Sequence, residues 1–310
     1  MTKCYSKSCK KCHSKNIKKD GLRRWRQSYK CKDCKHIWIG AKRKRKIYVQ
    51  NMYRDYALHK QTYTELSQQY HVCEKTIQHH LDTYTIPKKH TPSYTAIILI
   101  IDTTYFGDIG VMVFKDAQSK TILHFEIVHY ETNDAYKNWI RKLQEQWRMI
   151  KAIVCDGRRW LLWWFGDIPT QMCQFHQQQI IKRYITKRPS LQANKDLKHI
   201  VDRLHRTDKQ AFVYELDKWY MKYEVFMKEK TRDSTWKQHY IHRNTRSAYY
   251  SLKRNLEYLF IYEQYYWVID IPNTTNWLEA VFSHLKYKVN MHRGLRKDRK
   301  LKLISYLINI

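Results

Sequence analysis

The stretch that most constrains this chain is a run of six apolar residues that leads into a single carboxylate. Residues 96–101 read Ala-Ile-Ile-Leu-Ile-Ile and are followed by Asp102. A continuous run of this kind predicts a strand buried on both faces. Since a carboxylate in such a strand is costly unless a cation compensates it, Asp102 is a candidate metal ligand. Residues 150–155 repeat the pattern and end in Asp156 and Gly157, which predicts that two strands supply one metal site.

The overall charge indicates a polyanionic partner. The chain has 310 residues, enough for two to four domains, and its 59 Lys and Arg outnumber 28 Asp and Glu to give a net charge of +31. Such a charge favours nucleic acid as the partner. A basic ribosomal or membrane-surface protein is the alternative, but it would leave the strand acids without a role. Because no apolar run is long enough to span a bilayer or to serve as a signal peptide, we expect a cytoplasmic protein without a membrane partner.

Two cysteine pairs near the N-terminus predict a zinc ribbon over residues 1–40. Cys9 and Cys12 form one Cys-x2-Cys pair, and Cys31 and Cys34 form another after eighteen intervening residues. Four thiolates at this spacing are typical of one structural zinc ion. Redox-active pairs are the alternative. Cys4 is a spare cysteine, and His13 and His36 are alternative ligands in a variant site.

The same end of the chain is strongly basic. Residues 1–46 contain eighteen Lys and Arg against two Asp, about half of the net charge. Trp25, Tyr29 and Trp38 lie among them, a pattern that suits phosphate contact and base stacking. The alternative, which we favour for Trp38, is that these rings build the core of the ribbon. The following segment predicts contact with a DNA backbone, or else a solvated linker, and consists of Lys42, Arg43, Lys44, Arg45 and Lys46.

Residues 41–92 predict a small helical domain with a helix-turn-helix at 62–81. The apolar positions that would join its two short helices are Leu66, Tyr70, Val72, Ile77 and Leu81. The second helix would enter the major groove of DNA. The residues on its outward face are Glu74, Lys75, Gln78 and His79. Any two-helix hairpin gives a similar pattern. The basic ribbon that precedes this segment favours a DNA-binding helix-turn-helix over an ordinary hairpin.

Residues 93–190 predict an α/β core. The predicted order is strands at 95–105, 109–115 and 121–130, a helix at 133–148, a strand at 150–155, a helix at 158–165, a strand at 170–174 and a helix from His176. This βββαβαβα order is that of the ribonuclease-H-like fold, a mixed sheet with helices on its faces. Asp108 and Asp116 fall in the hairpin turns and are interpreted as turn residues.

The remainder predicts a helical insertion at 191–270 and a last core helix at 271–310. In the insertion, Arg243 and Arg246 lie among aromatic residues and are predicted to hold a distorted DNA end, although an aromatic helical core explains the pattern equally well. The last helix begins after Pro272-Asn-Thr-Thr, with an apolar stripe at Leu278, Val281, Phe282, Leu285 and Val289. A polar strip beside it includes Glu279 and Lys286, and a basic segment with Arg293 and Arg296 follows. Lys286, Arg293 and Arg296 are predicted to bind DNA.

The three candidate acids suit two-metal phosphoryl chemistry. Such a site needs carboxylates that converge on two Mg²⁺ or Mn²⁺ ions about 3.5–4 Å apart. Asp102 and Asp156 would be neighbours in the predicted sheet, and Glu279 would reach them from the last helix. Two alternatives stay open for Glu279. It forms a capping-box pattern with Asn276, and Glu257 and Glu263 compete as the third acid.

These acids, with Cys173-x2-His176 between the last two, resemble a known family. The combination is similar to the DDE transposases of bacterial insertion sequences related to the Mutator-like superfamily, as is the block from Asn276-Trp-Leu-Glu279 to His292-Arg-Gly294. The resemblance covers roughly residues 95–310. The short N-terminal region departs from the larger Mutator-type enzymes.

The resemblance implies a transposase of the bacterial cytoplasm, associated with the nucleoid. It would bind terminal inverted repeats through residues 1–90, cleave double-stranded DNA at the element ends, join the 3′-hydroxyls to target DNA, and assemble as a dimer or larger oligomer. His176 would contact the scissile strand, and Arg158 would join the DNA-binding residues. Cys173 and His176 are alternatively a structural pair or half of a second zinc site. A hydrolytic nuclease or resolvase and a non-catalytic DNA-binding regulator are the competing functions.

Overall fold

The computed structural model describes residues 8–24, 26–39, 48–87, 96–145, 149–234 and 236–310. The chain divides into two compact units, Met1–Tyr56 with Gln61–Tyr84 and Ala57–Lys60 with Thr85–Ile310. The predicted basic segment at 42–46, together with Cys4 and Trp25, lies outside the described residues. No helix in the described part of the chain is long and apolar enough to cross a membrane.

The first unit contains a small sheet and three helices. The strands β1 (Ile17–Arg23), β2 (Arg26–Cys31) and β3 (Ile37–Ile39) form an antiparallel sheet in that order. The helices are α1 (Val49–His59), α2 (Tyr63–Tyr70) and α3 (Glu74–Thr83). Thr62 and Glu65 cap the start of α2 reciprocally, and His71 ends it in the left-handed conformation (φ 51°). Of the five apolar positions predicted to join α2 and α3, Leu66, Ile77 and Leu81 are buried, whereas Tyr70 and Val72 are half-buried.

The second unit is built on a five-stranded sheet. Its elements are β4 (Ala96–Phe106), β5 (Ile109–Asp116), β6 (Ile122–Val128), α4 (Asn133–Glu145), β7 (Met149–Cys155), α5 (Arg159–Trp164), β8 (Thr170–Met172) and α6 (Gln174–Ile185). The strand order is β6-β5-β4-β7-β8, with β4, β5 and β6 antiparallel and β4, β7 and β8 parallel. This order and direction define a ribonuclease-H-like sheet, and the predicted fold class is confirmed.

The insertion is mainly helical. It contains α7 (Gln192–Asp202), a 3₁₀ turn (Leu204–Arg206), α8 (Lys209–Lys228), the hairpin strands β9 (Lys230–Arg232) and β10 (Gln238–Tyr240), α9 (Arg243–Leu259) and α10 (Ile261–Gln264). The hairpin was not predicted. The chain then forms α11 (Asn276–Met291) and α12 (Lys297–Asn309). The start of α11 agrees with the prediction, but α12 replaces much of the expected basic segment with a helix.

The sheet has a core on each face, because side chains alternate along its strands. Ile98 and Ile100 of β4 and Val154 of β7 pack in one cluster with Leu278 and Phe282 of α11. Ile97, Leu99 and Ile101 point to the opposite face, where α4 and the insertion pack. Asp102 comes two residues after Ile100, so the same alternation places its side chain on the face that α11 covers.

Candidate active site

The pairing of β4 and β7 sets Asp102 and Asp156 side by side. The two strands are parallel, with Ile98 opposite Ala152 and Ile100 opposite Val154. Asp102 and Asp156 each come two residues after the last of these pairs, so both belong to the same face at the same edge of the sheet. Asp102 is 7% exposed. Its Oδ1 accepts a hydrogen bond from the N–H of Thr103 at 2.8 Å.

Glu279 comes to this edge from the first turn of α11. Leu278 and Phe282 are buried against the sheet, and they fix the face of the helix from which Glu279 projects. The N-cap is Thr275 rather than Asn276, and it makes no side-chain capping bond, so the capping-box alternative for Glu279 is not found. Instead, Oε1 of Glu279 lies 3.3 Å from Nε2 of His176, which is on α6.

Three of the four predicted catalytic side chains meet at one point. One ligand atom from each of Asp102, His176 and Glu279 lies within 4.8 Å of the other two. Asp156 is outside this group. Its Oδ1 accepts the N–H of Arg158 at 3.2 Å, and its Oδ2 lies 3.8 Å from Nε of Arg158. The cluster therefore contains two of the three predicted acids, with the third beside it.

The competing acids do not join the cluster. Glu257 is exposed on α9. Glu263 on α10 accepts hydrogen bonds from the Lys209 N–H at 3.2 Å and the Tyr262 hydroxyl at 3.1 Å. Within the described residues, Glu279 is thus the acid of the last third of the chain that approaches Asp102.

The site concentrates negative charge in a buried place. Burial raises the pKa of Asp102 to about 7; the nearby His176 opposes this rise, and Glu279 and Asp156 add to it. Burial also raises the pKa of Asp156. For His176, burial alone would lower the pKa, but the Cys173 side chain and the carboxylates of Asp102 and Asp156 raise it to about 9. A divalent cation would relieve the same repulsion, and the carboxylate oxygens suit Mg²⁺ or Mn²⁺.

Cys173 joins the two elements that carry His176 and Glu279. Its thiol is buried, and Sγ accepts the N–H of Thr275, the N-cap of α11, at 3.2 Å. The N–H of Cys173 donates to the Cys155 carbonyl at 2.8 Å. The turn between β8 and α6 is thereby attached both to the end of β7 and to the start of α11. Among the described residues, no metal-binding group includes Cys173, so these contacts support the structural interpretation over half of a second zinc site.

The four N-terminal cysteines also converge. Ligand sulfurs of Cys9, Cys12, Cys31 and Cys34 all lie within 4.8 Å of one another. Each pair is followed by a residue in the left-handed conformation, His13 (φ 57°) and Lys35 (φ 58°). Although burial opposes it, the N–H groups of Cys12 and Lys11 lower the pKa of Cys9 to about 6. Although the Ser14 backbone contact opposes it, the side chains of Cys34 and Cys9 raise the pKa of Cys12 to about 12. The arrangement fits one tetrahedral zinc ion.

The residues predicted to bind DNA have different surroundings. Arg158 forms an ion pair with Glu131 beside Asp156. Arg246 donates to the Met227 carbonyl at 2.7 Å and lies 3.6 Å from the centre of the Tyr240 ring, so it braces the insertion.

The remaining members of this set lie at the surface. Arg243, Lys286 and Arg293 are exposed, whereas Arg296 pairs with Asp298 at 2.9 Å. On α3, Lys75 and His79 are exposed and Gln78 is half-buried. Glu74 accepts a hydrogen bond from the Thr64 hydroxyl at 2.7 Å, which ties α3 to α2.

Sequence analysis did not single out Glu131 and Thr275. Glu131 holds Arg158, and Thr275 binds the Cys173 thiol. Each precedes a helix by one or two residues, but their partners are 27 and 102 residues away along the chain, so no local pattern identifies the pairing.

No protein-family model and no curated protein matches this chain. Among solved structures, it is similar to the Drosophila P element transposase strand transfer complex, with 10% sequence identity, a TM-score of 0.41, and coverage of 86% of this chain and 93% of that chain. It is also similar to the simian T-cell lymphotropic virus intasome in complex with PP2A regulatory subunit B56 gamma, with 12% identity, a TM-score of 0.21, and coverage of 51% and 69%. The strand order of the sheet, and not these distant similarities, defines the ribonuclease-H-like fold.

Proposed function

We propose that this chain is a DDE-type DNA transposase, of the insertion-sequence kind that its sequence resembles. The observation that carries the proposal is the convergence of Asp102, Glu279 and His176 from β4, α11 and α6 onto one point at the edge of a ribonuclease-H-like sheet. A buried Asp102 and a half-buried Glu279 from such separate parts of the chain are costly to bring together without a cation. The net charge of +31 supports a nucleic-acid substrate.

In this proposal Asp102, Glu279 and the adjacent Asp156 hold two Mg²⁺ or Mn²⁺ ions. When bound, the ions would supply an ionised nucleophile and stabilise the leaving oxygen. His176 lies 3.3 Å from Glu279 and shares the carboxylate cluster, so a ring N–H of His176 is placed to donate a hydrogen bond to a phosphate oxygen. Cys173 positions His176 relative to Glu279, and Glu131 holds Arg158 beside Asp156.

The first unit would supply end recognition. The four-cysteine site would hold one zinc ion, and α3 presents the exposed Lys75 and His79 for contact with a DNA groove. We propose that this unit binds the terminal inverted repeats and that two or more copies of the chain act on the two ends together.

The test is a cleavage and joining assay with Mg²⁺ and labelled duplexes that carry the ends of the encoding element. The variants are Asp102→Asn, Asp156→Asn and Glu279→Gln. Asp108→Asn is the matched control, because Asp108 is an exposed turn acid paired with Lys297 at 3.1 Å. We expect each site variant to lose about 100-fold or more in cleavage rate, since each removes a charge that holds a catalytic cation, and the control to keep its activity.

The products separate the competing functions. Cleavage followed by joining of the 3′-hydroxyl supports a transposase. Cleavage without joining selects a nuclease or resolvase, and sequence-specific binding without cleavage selects a regulator. If Glu279→Gln cleaves as fast as the unmodified protein, its role as the third acid is wrong.

A further inference from the structure

A groove leads away from the candidate active site across α6 and α9. It consists of three adjoining cavities of about 400, 410 and 670 Å³. The first is lined by Gly157, the neighbour of Asp156, and the last by the start of α9. The first and second share Tyr184 and Arg254, and the second and third share Tyr184 and Arg243, so the cavities form one continuous surface.

The groove is lined by arginine. Arg159 and Arg183 lie in the first cavity, Arg254 where it joins the second, and Arg243 and Arg188 in the third. All five side chains are exposed, and none forms an ion pair with a described residue. No described Asp or Glu lines any of the three cavities. Five cations without counter-charges along one path attract a chain of anions.

The floor and the far end of the groove add to this attraction. Gln177 of α6 is hydrogen-bonded to Ser251 at 3.3 Å and to Asn255 at 2.8 Å, both on α9, so the floor is fixed by buried polar contacts. At the far end the third cavity is lined by the first residues of α9, including Asn244 and Thr245. The first N–H groups of a helix have no partner within the helix and favour a phosphate.

Three tyrosines line the groove together with the arginines. Tyr184 lines all three cavities, and Tyr240 and Tyr250 line the second. Tyr250 is 42% exposed. Base stacking on aromatic rings together with cations along the backbone is the way proteins hold single strands, because the bases of a duplex are already stacked on each other.

We propose that this groove binds a single-stranded segment of DNA that leads away from the scissile phosphate. The strand's phosphates lie on Arg183, Arg254 and Arg243, and Tyr184 stacks on a base. This inference rests on the proposed function for the identity of the nucleic acid. The groove itself is defined by residues that play no part in the candidate metal site.

The test is fluorescence anisotropy with the full-length, zinc-loaded protein and no added Mg²⁺ or Mn²⁺. The probe is a labelled single strand of about 15 nucleotides, near the upper site size of such grooves, and a duplex of the same length is measured beside it. The variant is Arg183→Gln with Arg254→Gln. The control is Arg141→Gln with Arg206→Gln, which removes two exposed arginines that line none of the three cavities.

We expect the groove variant to reduce the slope of log affinity against log salt by about 1.4 for the single strand, because each phosphate contact on a single strand contributes roughly 0.7. The control should change this slope by less than about half that amount. Tyr184→Leu should weaken single-strand binding roughly fivefold or more, whereas Tyr184→Phe, which keeps the ring, should not. Unfolding midpoints in urea confirm that each variant is folded.

Two results would overturn the inference. If the groove variant and the control lose the same amount of single-strand affinity, only the net charge of the protein determines binding. If the groove variant loses as much affinity for the duplex as for the single strand, the groove binds paired DNA.

The inference and the proposed function can fail separately. If the cleavage assay fails while the groove variant still loses single-strand affinity, the groove stands and the catalytic proposal falls. If cleavage succeeds and the groove variant binds like the unmodified protein, the groove alone is wrong.

Discussion

The surroundings of Cys173 show how one side chain holds the candidate site together. Its sulfur is fully buried and accepts the N–H of Thr275 at 3.2 Å, while the Thr275 hydroxyl lies 3.3 Å away. Thr275 precedes the helix that carries Glu279, and Cys173 precedes the helix that carries His176. A change at Cys173 therefore acts on the distance between those two catalytic candidates. It also acts on His176 directly, because the Cys173 side chain raises the pKa of His176.

We expect Cys173→Ala to destabilise the protein by about 1–3 kcal/mol, because it leaves the buried N–H of Thr275 without an acceptor. Cys173→Ser keeps an acceptor and should recover most of this loss. Urea unfolding followed by tryptophan fluorescence measures both. Bound zinc should remain at one ion per chain in each variant; a fall to half the zinc content would instead favour a second zinc site at Cys173.

His124, on the edge strand β6, makes stability depend on pH. Its ring stacks on Trp139 with 3.3 Å between ring centres, and its Nε2 is buried with no hydrogen-bond partner among the described residues. Burial, with a smaller effect of Lys142, lowers its pKa from 6.5 to about 4. Between these values the unfolded chain binds the proton more readily than the folded one, so folding stability falls as the pH drops through this window.

The expected size of this effect is about 1 kcal/mol between pH 7 and pH 5, because the half-buried ring keeps part of its solvent screening. Because His124→Phe keeps the stacked ring but has no titrating nitrogen, it should remove that part of the pH dependence. The comparison of urea midpoints for both proteins at the two pH values checks it. A variant with the same pH dependence as the unmodified protein would mean that other groups account for the acid sensitivity.

Among the secondary-structure elements, those with strong periodicity were predictable and those without it were not. The apolar run before Asp102 predicted β4, and the stripe Leu278–Phe282–Leu285 predicted α11. The hairpin β9–β10 has strands of three residues each, and so short a strand shows no recognisable alternation of apolar and polar residues. The helix α12 carries Leu301, Ile304 and Ile308 at helical spacing, but the basic residues around them hid the stripe.

The candidate site was predictable only in part for a related reason. The strands revealed Asp102 and Asp156, since an acid after an apolar run is conspicuous. The groove residues Arg183 and Arg254 are 71 positions apart, and only the packing of α6 on α9 brings them together. Asp156, which lies outside the cluster, contacts both the N–H and the Nε of Arg158, and a strand pattern predicts neither contact.

The ribbon strands have too little buried surface to fold by packing alone. In β1, β2 and β3 the described residues that are buried are Ser28 and Cys31. Zinc binding, worth about 10–16 kcal/mol for small structural sites, would therefore supply most of their stability. We expect Cys31→Ser to lose the zinc and the hydrogen-exchange protection of β1–β3, while β4 and β5 stay protected.

The matched control is Cys73→Ser, which changes an exposed cysteine outside the four-cysteine group. It should keep one zinc ion and full protection of the ribbon. Protection of β1–β3 that survives in the zinc-free Cys31→Ser variant would contradict a metal-dependent ribbon.

For the whole molecule, charge and core are divided unequally between the two units. Residues 1–46 hold eighteen basic and two acidic residues, a net +16 of the total +31. Both large apolar clusters, in contrast, consist of residues from Ile97 onward. The first unit therefore carries about half of the net positive charge, and the second contributes most of the apolar burial.

This division predicts that residues 85–310, the second unit without its short Ala57–Lys60 segment, fold alone. Their two cores include no residue of the first unit, so the fragment should unfold cooperatively in urea with a midpoint close to that of the full chain's main transition. It should bind single strands through the arginine groove but lose any preference for the element's ends over unrelated duplexes, because recognition is assigned to the first unit. Competition binding with both duplexes measures this preference. A fragment that still discriminates the ends would place recognition on the sheet or the insertion, and one that unfolds without cooperativity would show that the second unit needs the first.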